Sequence, residues 1–159
     1  MKERKIEITV YEAERPEELA PADTTLLREA ANATKNAYTP YSKFNVGAAL
    51  LLSNGEIICG SNQENAAFPS GLCAERVVLF YAGSRYPDAA IRAIAISSAT
   101  GGKENPHPVY PCGACRQVLL ECEHRAGHPI KVIMGSASKV HVVHSAKDLL
   151  PLCFELKEK

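Results

Sequence analysis

Between Phe44 and Leu52 the chain reads FNVGAALLL, nine positions of which only Asn45 has a polar side chain. Successive residues of a strand point to opposite faces, so a strand apolar at nearly every position must be covered on both sides. That requirement excludes a one-layer fold and a sheet with a wetted face. Asn54-Gly55 follows at once, a strong hairpin signal, and makes Glu56–Cys59 the expected return strand. The covering layers are visible as helical patterns. One runs from Asp23 to Tyr38, N-capped by Asp23 or Thr24, with Leu26, Leu27, Ala30, Ala31 and Ala37 on a stripe of mostly small residues that permits close packing. A second runs from Cys73 to Ser84 with Val77, Phe80 and Tyr81 at helical spacing, and a third starts at Cys112 and carries Val118, Leu119 and Cys122. Ile91–Ser97, Ile130–Met134 and Val140–Val143 are expected strands, and Asp148-Leu149-Leu150-Pro151 a last helical turn. The sum is an α/β protein, a three-layer α/β/α sandwich around a mixed sheet of about five strands.

At 159 residues the chain suits one core. Residues 1–22 read as an N-terminal extension, with a strand candidate at Ile6–Tyr11 and an acidic stretch closed by Pro16 and Pro21; residues 23–159 form a single domain. Eighteen Lys+Arg against eighteen Asp+Glu leave no basic excess for gripping phosphates, which argues against a nucleic-acid partner. No apolar run approaches the roughly 20 residues that cross a bilayer, and the start has no apolar stretch of a secretory leader, so no membrane role and a cytoplasmic location are expected. In that compartment the six cysteines stay reduced, and clustered ones suggest metal ligands or catalytic thiols.

Two clusters stand out, Cys73-Ala74-Glu75 and Pro111-Cys112-Gly113-Ala114-Cys115. Cys112 and Cys115 are three apart at a helix start, so both thiols face one way. Cys73 and Glu75, two apart, converge only off the end of a helix. Two helix starts aimed at one point would bring free N–H groups and positive dipole ends to it. Three thiolates on Zn²⁺ leave a net negative charge, which those helix ends and Arg76 would offset. Cys73, Cys112 and Cys115 are therefore expected zinc ligands, with a fourth position open for water as in catalytic sites. Glu75 is the expected proton shuttle. A fourth sulfur would instead make the zinc structural. Cys122 lies about 10 Å further along the same helix and cannot supply it. Cys59 could in principle, though its apolar strand context argues against it, and nothing in the spacing of Cys153 points to the metal.

These residues resemble a known family. Cys-Ala-Glu followed by Pro-Cys-Gly-Ala-Cys-Arg-Gln is similar to the zinc nucleoside deaminase signature in its three-cysteine version, found in small homotetrameric cytidine deaminases. Three further stretches resemble the same family: Ala37-Tyr38-Thr39-Pro40-Tyr41-Ser42-Lys43-Phe44-Asn45-Val46-Gly47-Ala48-Ala49-Leu50, Asn62-Gln63-Glu64-Asn65-Ala66, and Leu149-Leu150-Pro151 with Phe154. The resemblance implies a cytidine deaminase-like fold and hydrolysis of cytidine and deoxycytidine to uridine and deoxyuridine plus ammonia, in pyrimidine salvage. It also implies that Asn62 and Glu64 hydrogen-bond the ribose, that Ala66 belongs to the substrate segment, that Phe44 packs on the pyrimidine and that Phe154 enters a neighbouring subunit's site in a homotetramer. By themselves these residues also fit plainer roles, an Asn-rich turn and ordinary core or interface aromatics.

Three rivals remain. A deaminase of aminonucleoside antibiotics of the blasticidin type shares both cysteine clusters, although the Asn-x-Glu-Asn stretch disfavours it. A polynucleotide deaminase would place His first in the triad and need a basic groove. A non-enzymatic structural-zinc interaction module would need the fourth ligand. Neither residues 1–22 nor the Gly101–Tyr110 loop receives a role from the sequence.

Overall fold

The computed structural model describes residues 1–156. Their strands form one sheet: β1 (Tyr11–Ala13), β2 (Phe44–Leu52), β3 (Ile57–Ser61), β4 (Ile91–Thr100), β5 (Lys103–Glu104), β6 (Lys131–Gly135) and β7 (Val140–Val143). The order is β1-β7-β6-β4-β2-β3, with β5 paired to β4 beside this path. Only β4 and β6 run parallel; every other pair is antiparallel, so the sheet is mixed. The helices are α1 (Pro21–Ala33), α2 (Ala74–Arg85) and α3 (Gly113–Ala126).

Period-two alternation sorts the core into two layers. Ala48, Leu50 and Leu52 of β2, Ile94 and Ile96 of β4, and Val132 and Met134 of β6 pack with Ala74, Val78 and Leu79 of α2 and Leu119 of α3. The intervening Ala49, Ala93, Ala95 and Ile133 pack with Leu26, Leu27 and Ala30 of α1. One helix therefore covers one face and two cover the other, as the doubly apolar β2 demanded. The small side chains of α1 matter at Gly47. A Cβ there would fall on the Ala30 carbonyl oxygen and 2.7 Å from the Thr34 nitrogen.

Several boundaries differ from the sequence reading for identifiable reasons. Helix α1 starts at Pro21, whose missing N–H is harmless in a first turn, and neither Asp23 nor Thr24 caps it. Asp23 instead pairs with Lys131 at 2.8 Å, and Thr24 Oγ1 donates to the Pro16 carbonyl at 3.0 Å. The helix stops at Ala33 and tightens into a 3₁₀ turn at Thr34–Asn36 rather than reaching Tyr38. The N-terminal strand forms at Tyr11–Ala13, not Ile6–Tyr11, because β7 offers it only the stretch from Val140 to Val142. The extension thus contributes a strand to the sheet, and a boundary at residue 22 falls inside α1. Strand β4, expected to end at Ser97, continues to Thr100, and the expected loop turns through Gly101 and Gly102, both at positive φ, into β5. Return strand β3 runs on to Ser61, and the last turn is 3₁₀ at Ala146–Leu149. Five strands have four or more residues; β1 and β5 are the additions.

Gly47→Ala is expected to destabilise the protein by about 1–3 kcal/mol, because backbone rather than a movable side chain occupies the space. Urea unfolding of the two proteins side by side checks it, and an unchanged midpoint contradicts the close contact.

Candidate active site

Helices α2 and α3 pack against each other on the same sheet face and begin at cysteines. Cys73 is the N-cap of α2 and Cys112 the N-cap of α3, both with extended backbone, and Val77 and Arg116 donate the first helical hydrogen bonds back to their carbonyls. Neither N-cap side chain accepts from its helix's backbone, so the thiols remain available. Cys115, in the first turn of α3, is fully buried, Cys73 half-buried and Cys112 exposed. The Sγ atoms of Cys73 and Cys112 are 3.8 Å apart, those of Cys112 and Cys115 3.5 Å, and all three lie within 4.8 Å of one another.

That donor set fits zinc. Tetrahedral thiolates at about 2.3 Å from Zn²⁺ stand roughly 3.8 Å from each other, close to the separations found. Among the described residues no fourth His, Cys, Asp or Glu joins the cluster. Hydrogen bonding from Cys115, with help from Arg76 and Cys112, brings the Cys73 thiol down to about 5 against the opposing effect of burial. The same sharing with Cys73, together with burial, pushes Cys115 up. One sulfur is thereby already inclined to the thiolate form that a metal needs.

Glu75 is buried in the first turn of α2, and that burial pushes its carboxyl upward, reinforced by charge on Cys73 and opposed by its own backbone N–H. The Arg76 guanidinium lies 3.9 Å from Cys73 Sγ, and its buried Nε has no hydrogen-bond partner. A cavity of about 560 Å³ opens beside these groups, lined among others by Tyr41, Asn62, Glu64, Phe68, Cys73 and Arg76.

The Asn62–Glu64 segment is extended and held on both sides. Tyr38 N donates to Asn62 O and Glu64 N to Tyr38 O, while Gln63 and Leu72 exchange a pair of backbone hydrogen bonds. Period two then turns Asn62 and Glu64 the same way. Both ends of the Asn62 amide bind the start of β2: Nδ2 donates to Phe44 O at 3.0 Å, and Oδ1 accepts from Val46 N at 2.8 Å. Glu64 Oε2 accepts from Tyr41 N at 3.0 Å and Ser42 N at 3.3 Å, and bonds from Ser42 and Tyr41 hold its carboxyl below the usual range. Lys43 takes a left-handed conformation, φ 57°, to lead the chain from this carboxylate into β2.

The structure thus brings together Cys73, Cys112, Cys115, Glu75 and Arg76, and sets Asn62 and Glu64 on the same cavity. Phe44, Ala66 and Phe154 do not line it. Phe154 is 69% exposed, with its carbonyl accepting from Gln117 Nε2. The aromatic wall comes instead from Tyr41 and Phe68, edge to face at 5.8 Å. Their signal in the sequence was only position, one inside the Tyr-Ser-Lys-Phe stretch and the other soon after Asn65-Ala66. Two further residues escaped the sequence reading. Arg116, next to Cys115, donates to Pro111 O at 2.8 Å and Leu149 O at 3.0 Å, tying the approach to Cys112 to the last turn. Buried Glu123 accepts from Ile130 N, Ala146 N and Ser145 Oγ and so anchors the far end of α3.

The family model for the cytidine and deoxycytidylate deaminase zinc-binding region matches residues 21–127. A cytidine deaminase of Halalkalibacterium halodurans is 39% identical over 133 residues, 84% of this chain and 94% of its own. One from Sporosarcina psychrophila is 47% identical over 96 residues, 60% of this chain and 66% of its own. The crystal structure of cytidine deaminase from Burkholderia pseudomallei matches with a TM-score of 0.68 at 38% identity, covering 82% of this chain and 97% of that one. That of Mycobacterium tuberculosis gives 0.64 at 34%, covering 83% and 96%.

Neither buried apolar cluster is built on the three sulfurs. Stripping metal with a strong chelator is therefore expected to leave the far-ultraviolet circular dichroism and a cooperative unfolding transition in place. Loss of the fold on chelation would make the metal structural instead.

Proposed function

The chain belongs to the cytidine deaminase family, and we propose that it is of the three-cysteine type, acting on deoxycytidine as well as cytidine. Its reaction is hydrolytic deamination to the uracil nucleoside and ammonia. The observation that carries the reading is a buried carboxyl, Glu75, two residues from one of three gathered thiols and between Cys73 and Arg76, which line a cavity of nucleoside-binding size.

Cys73, Cys112 and Cys115 would hold Zn²⁺ with one position left open. When bound, zinc supplies Lewis acidity that makes water a nucleophile near neutral pH. Glu75 takes a proton as the water oxygen bonds to C4 of cytosine and delivers it to N3. It then carries the remaining hydroxyl proton to N4, so that the C4–N4 bond breaks, C4 becomes a carbonyl and ammonia leaves. Arg76 offsets the negative charge of the sulfurs from 3.9 Å. Backbone groups of the Cys73 and Cys112 segments position the departing amine.

Glu64 and Asn62 orient the ribose. A carboxylate has about four lone-pair sites, so Glu64 can accept a sugar hydroxyl beside its two backbone donors. The Asn62 amide fixes the cavity wall through Phe44 and Val46 and offers its second N–H to the sugar. Ala66 continues this segment, and the aromatic surface open to a pyrimidine is that of Tyr41 and Phe68 rather than Phe44. The exposed Phe154 ring, on a backbone already tied to α3, suits a residue that enters a neighbouring subunit's site in a homotetramer. The catalytic body begins with α1 at Pro21 rather than at residue 23, and residues 157–159, which the sequence reading assigned to it, lie outside the described ones. No described helix is long and apolar enough to cross a membrane, and three thiols that must stay reduced suit the cytoplasm.

Glu75→Gln is expected to keep its zinc while cytidine turnover, followed by ultraviolet absorbance, falls by about 10²–10⁴-fold. Full turnover would remove Glu75 as the proton carrier. Arg76→Ala is expected to lose zinc faster to a chelator and to turn over more slowly; unchanged zinc loss and kinetics would leave Arg76 without an electrostatic role.

A further inference from the structure

The two stretches without a role, the N-terminal extension and the loop before Cys112, meet at one side chain. His141 stands on β7, between Val140 and Val142, which pack toward α1, so its ring points to the face that α2 and α3 cover. Glu12 of β1 is its direct cross-strand neighbour, with Oε1 3.4 Å from His141 Nε2. On the other side of the ring, the Tyr110 hydroxyl lies 2.8 Å from Nδ1, and the two rings are stacked at 29° with centroids 5.8 Å apart. The Glu12 carboxylate lies close without hydrogen-bonding Nε2, which has no hydrogen-bond partner among the described residues, whereas Nδ1 and the Tyr110 hydroxyl share a hydrogen bond. The His141 side chain is 13% exposed and stands between two partners that reach solvent, Glu12 at 54% and Tyr110 at 50%.

The loop needs such an anchor. Pro106, Pro108 and Pro111 have no N–H to donate. Its beginning is fastened, with Asn105 N on Ser98 O and the Pro106 carbonyl accepting from Ser136 and Ser138. Its end is fastened by Arg116 on Pro111 O. Between them, Val109 packs against the core and Tyr110 reaches His141. Tyr110 is two residues before the N-cap Cys112, so its position sets how the backbone enters α3.

We propose that Glu12, His141 and Tyr110 form a positioning relay through which the N-terminal strand holds the Cys112 loop in its metal-binding path. Lys139, 3.8 Å from the other Glu12 oxygen, braces the carboxylate. Edge-to-face packing of Tyr11 on His144, centroids 4.6 Å apart, holds β1 in place beside it. The role in zinc retention rests on the deaminase reading; the mechanical tie does not.

The test uses the full chain with Tyr110→Phe, Glu12→Gln and the double variant, and Glu14→Gln as an exposed control in the same extension. Hydrogen exchange of the Val109–Arg116 backbone, in metal-free protein, reads the tie. Zinc release to a chromogenic chelator and the kinetics on cytidine read its consequence. Tyr110→Phe is expected to speed exchange and zinc release about three- to tenfold, the range of one lost hydrogen bond, and Glu12→Gln, which removes a close charge rather than a hydrogen bond, about threefold. The double variant should exceed either single change by less than the product of the two, because both act through His141. kcat should fall with KM and the thermal midpoint unchanged, which a general loss of stability would not produce. Exchange rates within twofold of the unsubstituted chain, or a fully multiplicative double variant, would overturn the relay. A chain that takes up no zinc would defeat the deaminase reading, while the exchange measurement would still judge the tie.

Discussion

Everything chemical in this protein depends on two helices that start side by side. Placing a cysteine at the N-cap of each leaves the unpaired N–H groups of both first turns directed toward the same few sulfurs. A cluster of thiolates repels itself, and burying part of it, as Cys115 is buried, raises that cost. Two positive helix ends and one guanidinium make the arrangement tolerable. They also fix what surrounds it, since the residue after each N-cap begins a helix whose register is locked by core contacts further along. Glu75 reaches its place because Val78, Leu79 and Ala82 are held in theirs.

How much of this could be seen in the amino acids follows from the range of the forces involved. The apolar β2, the Asn54-Gly55 turn and the helix starts at Cys73 and Cys112 are local effects of side-chain periodicity and backbone freedom, and they appear where the pattern puts them. The Cys112–Cys115 pair was legible for the same reason, because a spacing of three at a helix start is a local fact, whereas Cys73 joins it from 39 residues away through the packing of α2 on α3. What stayed hidden is set by distant partners. Asp23 looks like a cap until Lys131 of β6 is brought beside it. Ile6–Val10 has strand-like alternation but no partner within the described residues, whereas Tyr11–Ala13 meets β7. Glu123 reads as a solvated helix charge until Ile130 and Ala146 present their N–H groups to it.

The cavity shows the same division in finer detail. Alternation along an extended segment predicts that Asn62 and Glu64 share a side, and both line the cavity, together with Gln63 and Asn65. It says nothing of the backbone amides of Tyr41, Ser42 and Val46 that converge on them. Those contacts make both side chains part of the wall as well as of the surface a sugar would meet. The left-handed turn at Lys43 is the backbone's answer to that convergence, a conformation seldom taken by a residue with a side chain.

The three residues of β1 also bear on how the molecule behaves in company. Without them β7, whose sequence is VHVV, would end the sheet with a row of unsatisfied amides and carbonyls flanked by β-branched side chains. Such a border invites other chains to add themselves to it. A short strand carrying Glu12, followed by the proline and acidic residues at Pro16–Glu18, turns that border into one that is brief, charged and hard to extend. The segment that blunts this border lies ahead of the residues that the family model matches.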